Sequence, residues 1–441
     1  MGDSSASPGG GFRPATFYLE EIPAVDDDGD ENGTDDDEDS VDGGGEDGKG
    51  GEGGSDGRGG RHRWTSTLLP PCPRPVGGGA ALVRLGRYLR AVGGCSIRSG
   101  SRRVPPSSPS GSPSGSYSDA VLNLDGGGWR MLPEGQRSGH GPAAMMGHTA
   151  VAAAVPGGEG FVALAFGGQR RGADPGEDED EDKDKDEDAA PPPPVGELWR
   201  CRGSSGPWEL LEPERSVGPV PAPRHSHAAA ALGGIMLVFG GAGAGGELRD
   251  DLWAHPFGAG GWTRLEGGSG QGSSSPSPSA RMMHAACAVP LGGEIRMLVL
   301  GGVAAPETAP GSAPREPVAL RDAWVYRYRP GGGSWTEVEM APEGEKDGGD
   351  GQGRGRCSHT VCHVGGGGAG GGPVYVGCYG GWDGWSEVLG EVTCLRLDLG
   401  DGDGDGAAAI RGRWVSPGEA PGAAPVRFAH AGCADGEGGG L

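Results

Sequence analysis

Short apolar runs, four to six residues long and bounded by Gly, Ser or Pro, recur along this chain. The clearest lie at 161–166, 235–239, 295–300 and 374–379. Each ends in a glycine pair: Gly167-Gly168, Gly240-Gly241, Gly301-Gly302 and Gly380-Gly381. A weaker run at 89–92 precedes Gly93-Gly94. Runs of this length between turn-forming residues predict strands, because a helix needs a longer segment with apolar positions three to four apart. No segment shows that helical spacing. After each glycine pair come a loop of variable length and a third stretch, best seen as Glu197-Leu198-Trp199, Asp251-Leu252-Trp253 and Asp322-Ala323-Trp324. A fourth stretch carries its own Trp, at Trp208, Trp262 and Trp335, and Trp129, Trp414 and Trp64 fit the same slot. Ahead of the apolar runs stands Arg-x-x-His: Arg224 with His227, Arg281 with His284, Arg356 with His359 and Arg427 with His430. A fifth copy has Met145 in place of Arg before His148.

The repeated unit is therefore four strands, with a glycine pair closing the second and an aromatic on the third and fourth. It resembles the kelch repeat over most of residues 72–430. The resemblance implies an all-β fold, a six-bladed kelch-type β-propeller of the galactose oxidase central-domain-like superfamily. Such sheets stack radially and bury their faces against neighbours. The intervals between fourth-strand Trp residues run 65, 79, 54, 73 and 79, against a kelch period of about 50 residues. The excess is rich in Gly, Ser, Asp and Pro and falls between strands, where loops tolerate insertion. We expect the propeller over 12–441 and a disordered N-terminus over 1–11. Within the propeller, 21–60 is expected as a disordered acidic and Gly-rich insertion, and 172–195 as a disordered acidic and Pro-rich one. The closing blade would be shared by the two termini, with 15–20 as its third strand, Trp64 on its fourth and 427–430 as its first. By the register of 228–239, Leu441 falls where the second strand should begin, so that blade is expected to be incomplete, as in a truncated chain.

Composition changes the picture in two ways. Gly (96) and Pro (38) reach the share, about 30%, typical of low-complexity sequence, yet 11 Trp and 34% apolar residues leave enough for a core. The net charge of −24 is concentrated: 26–42 holds 11 carboxylates and no base, and 177–188 holds 10 against Lys183 and Lys185. A solvated loop is the expected reading of both runs. The absence of a strongly basic domain argues against a nucleic-acid partner. No run of 18 apolar residues exists to span a membrane. No secretory signal is visible at the N-terminus, so the 9 Cys are expected to be free thiols in a reducing compartment, cytoplasmic or also nuclear. A monomer is expected.

Motifs that imitate chemistry fail on inspection. Asp28-x-Asp30-x-Asn32-Gly33 copies a calcium-loop skeleton, but Asp35 takes the apolar position and no helices flank it. The run Asp401, Asp403, Asp405 fails at its twelfth position, Gly412. Cys357, His359, Cys362 and His363 are close in the text, but strand alternation would send them to different faces. Gly43 to Gly48 with Lys49 lacks the Ser or Thr of a phosphate loop. No catalytic residue, metal or cofactor is expected. The repeat histidines (His148, His227, His284, His359 and His430), like the glycine pairs and Trp residues, are assigned to packing. The resemblance implies instead a protein-binding adaptor or scaffold whose partner docks on the loops that follow the second strands and link the units. Trp382, Trp385, Arg170, Arg171 and Arg249 are the expected contacts, since exposed Trp and Arg are common interface anchors. The alternative is a propeller enzyme of the galactose-oxidase or specifier-protein type with a metal on that face. The copper ligand set of the first cannot be placed here, and the Glu-x-x-x-Asp-x-x-x-His pattern of the second is not found.

Overall fold

A computed structural model of the chain describes residues 15–22, 61–68, 78–95, 119–132, 142, 145–155, 160–170, 193–211, 218–265, 276–305, 318–341, 355–367, 372–384, 387–400 and 408–415. These residues are all-β, with no α-helix among them. Five antiparallel meanders of four strands follow one another in the chain. The first comprises Gly78–Leu85, Tyr88–Cys95, Asp119–Asn123 and Trp129–Met131. The second comprises Thr149–Ala154, Phe161–Phe166, Leu198–Arg202 and Trp208–Leu211. The third runs through Ala228–Leu232, Ile235–Phe239, Leu252–Pro256 and Thr263–Leu265. The fourth runs through Ala285–Leu291, Glu294–Leu300, Ala323–Arg329 and Gly332–Met340. The fifth is Thr360–Gly366, Val374–Trp382, Val388–Leu399 and Ile410–Val415. A hairpin of Ala15–Ile22 with Arg61–Leu68 sets Leu19 opposite Trp64. The stretch 427–430 and the acidic runs 26–42 and 177–188 lie outside the described residues, as do Asp401, Asp403 and Asp405.

Both faces of the sheets are buried, which is why the second strands read as continuous apolar runs rather than alternating ones. In the fourth unit Leu298 and Leu300 pack toward the fifth, while Met297 and Val299 pack toward the third. The neighbouring strand Ala285–Leu291 alternates in the same way, Cys287 and Val289 one way, Ala286 and Ala288 the other. Each of four apolar clusters bridges one boundary between consecutive units. The fourth-strand aromatics close these boundaries edge-on: Trp262 against Phe166 at 4.9 Å between centroids, Trp335 against Phe239 at 5.1 Å.

The fourth and fifth units are not separate sheets. Their last strands pair in parallel, Val338↔Ile410 to Met340↔Gly412, and the result is one eight-stranded sheet nearly closed on itself. Gly412 permits it. A Cβ there would lie 2.7 Å from both Met340 Sδ and Val338 Cγ1, inside van der Waals contact. A second departure concerns Gly380-Gly381, read from sequence as the end of its strand: Val374–Trp382 runs through the pair, with a register shift between Tyr379 and Gly381.

Candidate partner-binding face

The Arg of Arg-x-x-His and the carboxylate that opens the third strand are two halves of one device. Arg224 is fully buried. It donates to both oxygens of Asp251 at 2.6 and 2.9 Å, to the Gly240 carbonyl at 3.0 Å and to the Ala222 carbonyl at 3.1 Å. The Trp253 indole donates to the same carboxylate at 2.7 Å. Arg281, Asp322 and Trp324 repeat the arrangement, with bonds of 2.8 and 2.7 Å from Arg281 and 2.7 Å from Trp324. Burial alone would raise the Asp251 carboxyl, but the bonds from Arg224 and Trp253 hold it below the usual range. A buried ion pair is tolerated only when its remaining donors find acceptors, and here the carbonyls supply them. In the second unit, where Met145 replaces Arg, Arg170 reaches back from beyond the glycine pair to Glu197 at 2.6 Å, and Trp199 donates to the same group at 2.9 Å.

The residue before each repeat His sits in the left-handed region: Gly147 (φ 65°), Ser226 (53°), Met283 (56°) and Ser358 (52°). These residues form a backbone ladder from unit to unit. Gly147 N–H donates to Gly79 C=O at 2.9 Å; Ser226 donates to Gly147, Met283 to Ser226 and Ser358 to Met283, each at 2.8 Å. A second ladder runs beside it, from Gly168, Gly241 and Gly302 N–H to the carbonyls of Arg224, Arg281 and Arg356, each 2.8 Å. The glycine pairs are needed for this approach. A Cβ on Gly240 would sit 2.7 Å from the His284 ring, and one on Gly241 2.8 Å from His227 Cβ. His227 Nε2 lies 2.8 Å from Thr149 Oγ1, and His227 and His284 stand edge-on to Phe166 and Phe239. Burial pulls the His148 imidazole down to about 4 and His284 to about 3. His148, His227, His284 and His359 are all buried, while His430 lies outside the described residues.

These contacts bring two kinds of loop to one end of the sheets. The residue after each glycine pair meets the segment entering the same unit: Gln169 with Met146, Ala242 with His225, Val303 with Met282, Trp382 with Cys357. Three of the four large apolar side chains exposed among the described residues belong to this end: Val220, Val318 and Trp382. Trp382 is 37% exposed, while its backbone exchanges two 2.9 Å bonds with Cys357. Its turn touches the strand of Val318, since a Cβ on Gly384 would lie 2.7 Å from Ala319 Cβ. Asp383 and Glu387 close that turn. Arg249 is paired with Glu247 at 2.9 Å and Arg170 with Glu197, so both arginines have intramolecular roles here; Arg171 and Trp385 lie outside the described residues. Burial pushes the Cys357 thiol up to about 11, so it is no nucleophile at neutral pH. Among the described residues no group of three or more His, Cys, Asp or Glu side chains is placed to hold a metal ion.

No family model matches the chain. Part of it is similar to the human protein named Multiple epidermal growth factor-like domains protein 8, at 32% identity over 148 residues, which is 33% of this chain and 4% of that protein. The mouse and rat proteins of the same name are each 37% identical over 109 residues, 24% of this chain and 4% of theirs. The matched segments thus cover only a small fraction of the length of these relatives.

Proposed function

We propose that this chain is a six-bladed kelch-type β-propeller and acts as a non-catalytic interaction module, an adaptor or scaffold that holds a partner protein on the end bearing Trp382. The observation that carries the reading is Trp382 itself: a large apolar side chain exposed on a backbone pinned at both N–H and C=O, in a turn that touches the strand of Val318. A rigid, exposed aromatic costs little entropy to immobilise and so makes an effective anchor. The propeller reading is supported by five meanders stacked in chain order with a backbone ladder at each boundary, and by the hairpin of Ala15–Ile22 with Arg61–Leu68 as part of a sixth blade. The partial similarity to a much longer protein fits a module that works beside other domains. This reading takes the chain to be cytoplasmic, with the nucleus as a second compartment that it fits. Its six described cysteines are free thiols, five of them buried, and none needs an oxidising compartment.

The test is affinity capture followed by binding measurements with the purified partner. Trp382→Ala is expected to weaken that binding at least tenfold, about 1.4 kcal/mol, with an unchanged melting temperature. Ile295→Ala, at the opposite end, is expected to leave it intact. Equal affinity of all three proteins would remove the Trp382 face from consideration, and failure of the intact protein to capture any specific partner would count against the adaptor reading.

A further inference from the structure

We infer that Arg296, Arg327 and Arg329 form a binding site for an oxyanion of two negative charges, a phosphate or a dicarboxylate, at the end of the sheets opposite Trp382. Glu294 and Arg296 lie on the strand face that carries Leu298 and Leu300, and Arg327 and Arg329 on the face that carries Val325. Both faces look toward the fifth unit. The register Met297↔Tyr326, continued, sets Arg296 beside Arg327 and Glu294 beside Arg329. Glu294 is the one carboxylate bonded in this group. It accepts from Arg327 at 2.7 and 2.9 Å and from Arg329. Arg296 approaches it only to 3.9 Å, outside hydrogen-bond range. Yet Arg296 is more than nine-tenths buried, and its Nε has no hydrogen-bond partner. Three guanidinium groups thus face one carboxylate, and the most buried of them is the one left unsatisfied.

The surroundings add no second counter-charge among the described residues. Asp398, near the end of the strand Val388–Leu399, is taken by Arg396 at 2.8 Å. His363, on the facing strand, has Nε2 3.3 Å from the Gly366 carbonyl, and burial lowers its pKa. Leu399 forms the wall: a Cβ on Gly292 would lie 2.7 Å from Leu399 Cδ2 and 3.3 Å from Arg296 Nη2. Burial and the neighbouring Arg327 and Arg329 both lower the Arg296 pKa, the direction expected where positive charge is in excess. Glu294 is held down to about 2 by its bonds to Arg327 and Arg329 and stays ionised. Planar guanidinium forks match the paired oxygens of phosphate and carboxylate. Two sources could present that chemistry: a free anion, or the chain's own Asp401, Asp403 and Asp405, which follow Leu399 and Gly400 in sequence.

The experiment is a calorimetric titration of the full-length protein with inorganic phosphate at low ionic strength. Saturable binding is expected, and Arg296→Met, which keeps the apolar stem, should weaken it at least tenfold. Arg327→Gln/Arg329→Gln changes exposed groups only and guards against loss by misfolding; it should weaken binding several-fold with the melting temperature retained. Asp401→Asn/Asp403→Asn/Asp405→Asn separates the sources. A several-fold gain in phosphate affinity would assign the site to the chain's own carboxylates, and no change would assign it to a free anion; either result sustains the site. Absence of saturable binding in both the intact protein and the Asp401→Asn/Asp403→Asn/Asp405→Asn variant, or unaltered phosphate affinity in Arg296→Met and in the arginine pair variant, would overturn it.

Discussion

Arg90 occupies the core position that Leu237 and Leu298 hold in the third and fourth units. It is tolerated there because every fork of the guanidinium is used. Nε and Nη2 each donate to Asp119 at 2.7 Å, Nη1 meets Cys201 Sγ and the Gly206 carbonyl, and the plane lies over Trp208 at 4.9 Å. Both partners are fully buried. Truncating one leaves the other charged in an apolar boundary, so Asp119→Ala is expected to cost about 3–5 kcal/mol. Replacing both with apolar residues, Arg90→Met/Asp119→Leu, should cost far less. Urea unfolding of the three proteins measures the difference, and equal losses from single and double variants would contradict it. The buried histidines act at the same scale. The imidazoles of His148 and His284 titrate near 4 and 3 when folded and near 6.5 when unfolded. Between those values the unfolded chain binds more protons, so stability rises with pH across this window and is lost on acidification. The melting temperature should fall steadily from pH 6.5 towards pH 4, and His284→Phe should flatten that slope.

For single elements, the glycine pairs give the sharpest contrast. Gly241→Ala combines a φ of 96° with a Cβ 2.8 Å from the His225 carbonyl and His227 Cβ. It should cost more than about 2 kcal/mol. Gly233→Ala, at φ 58° with open space around its Cβ, should cost only about 1 kcal/mol. Equal effects on denaturation midpoints would show that contact with the next unit is not what selects glycine. These pairs were legible in the sequence because each sits at the end of a local apolar run. The tie between Arg and carboxylate was not, although both halves recur, because the partners are 27 residues apart in one unit and 41 in another. Nor was the parallel seam of 338–340 with 410–412, which depends on a missing side chain at Gly412 meeting Met340 across three intervening strands and their loops. Trp382 was legible as an aromatic outside the core slots. Its fixed backbone was not, since that comes from Cys357 in another segment.

Across the whole molecule, insertions and seams have separate roles. Gln169 and Pro194 are bridged to each other, so the ends of the intervening segment are held together whatever its length. Closure entropy grows only logarithmically with loop length. Replacing 172–192 with a short Gly/Ser connector should therefore change unfolding free energy by under about 1 kcal/mol, and a larger loss would show that the insertion packs against the sheets. The seams use a different currency. Gly147, Ser226, Met283 and Ser358 share a conformation and a bonding pattern but have little else in common as side chains. The groups that join them, one amide hydrogen and one carbonyl oxygen, are supplied by nineteen of the twenty amino acids. Inheritance can thus rewrite the letters at these joints among residues that accept a left-handed backbone, with proline forbidden and β-branched residues disfavoured. Kinship among such units would fade from the text long before it faded from the architecture.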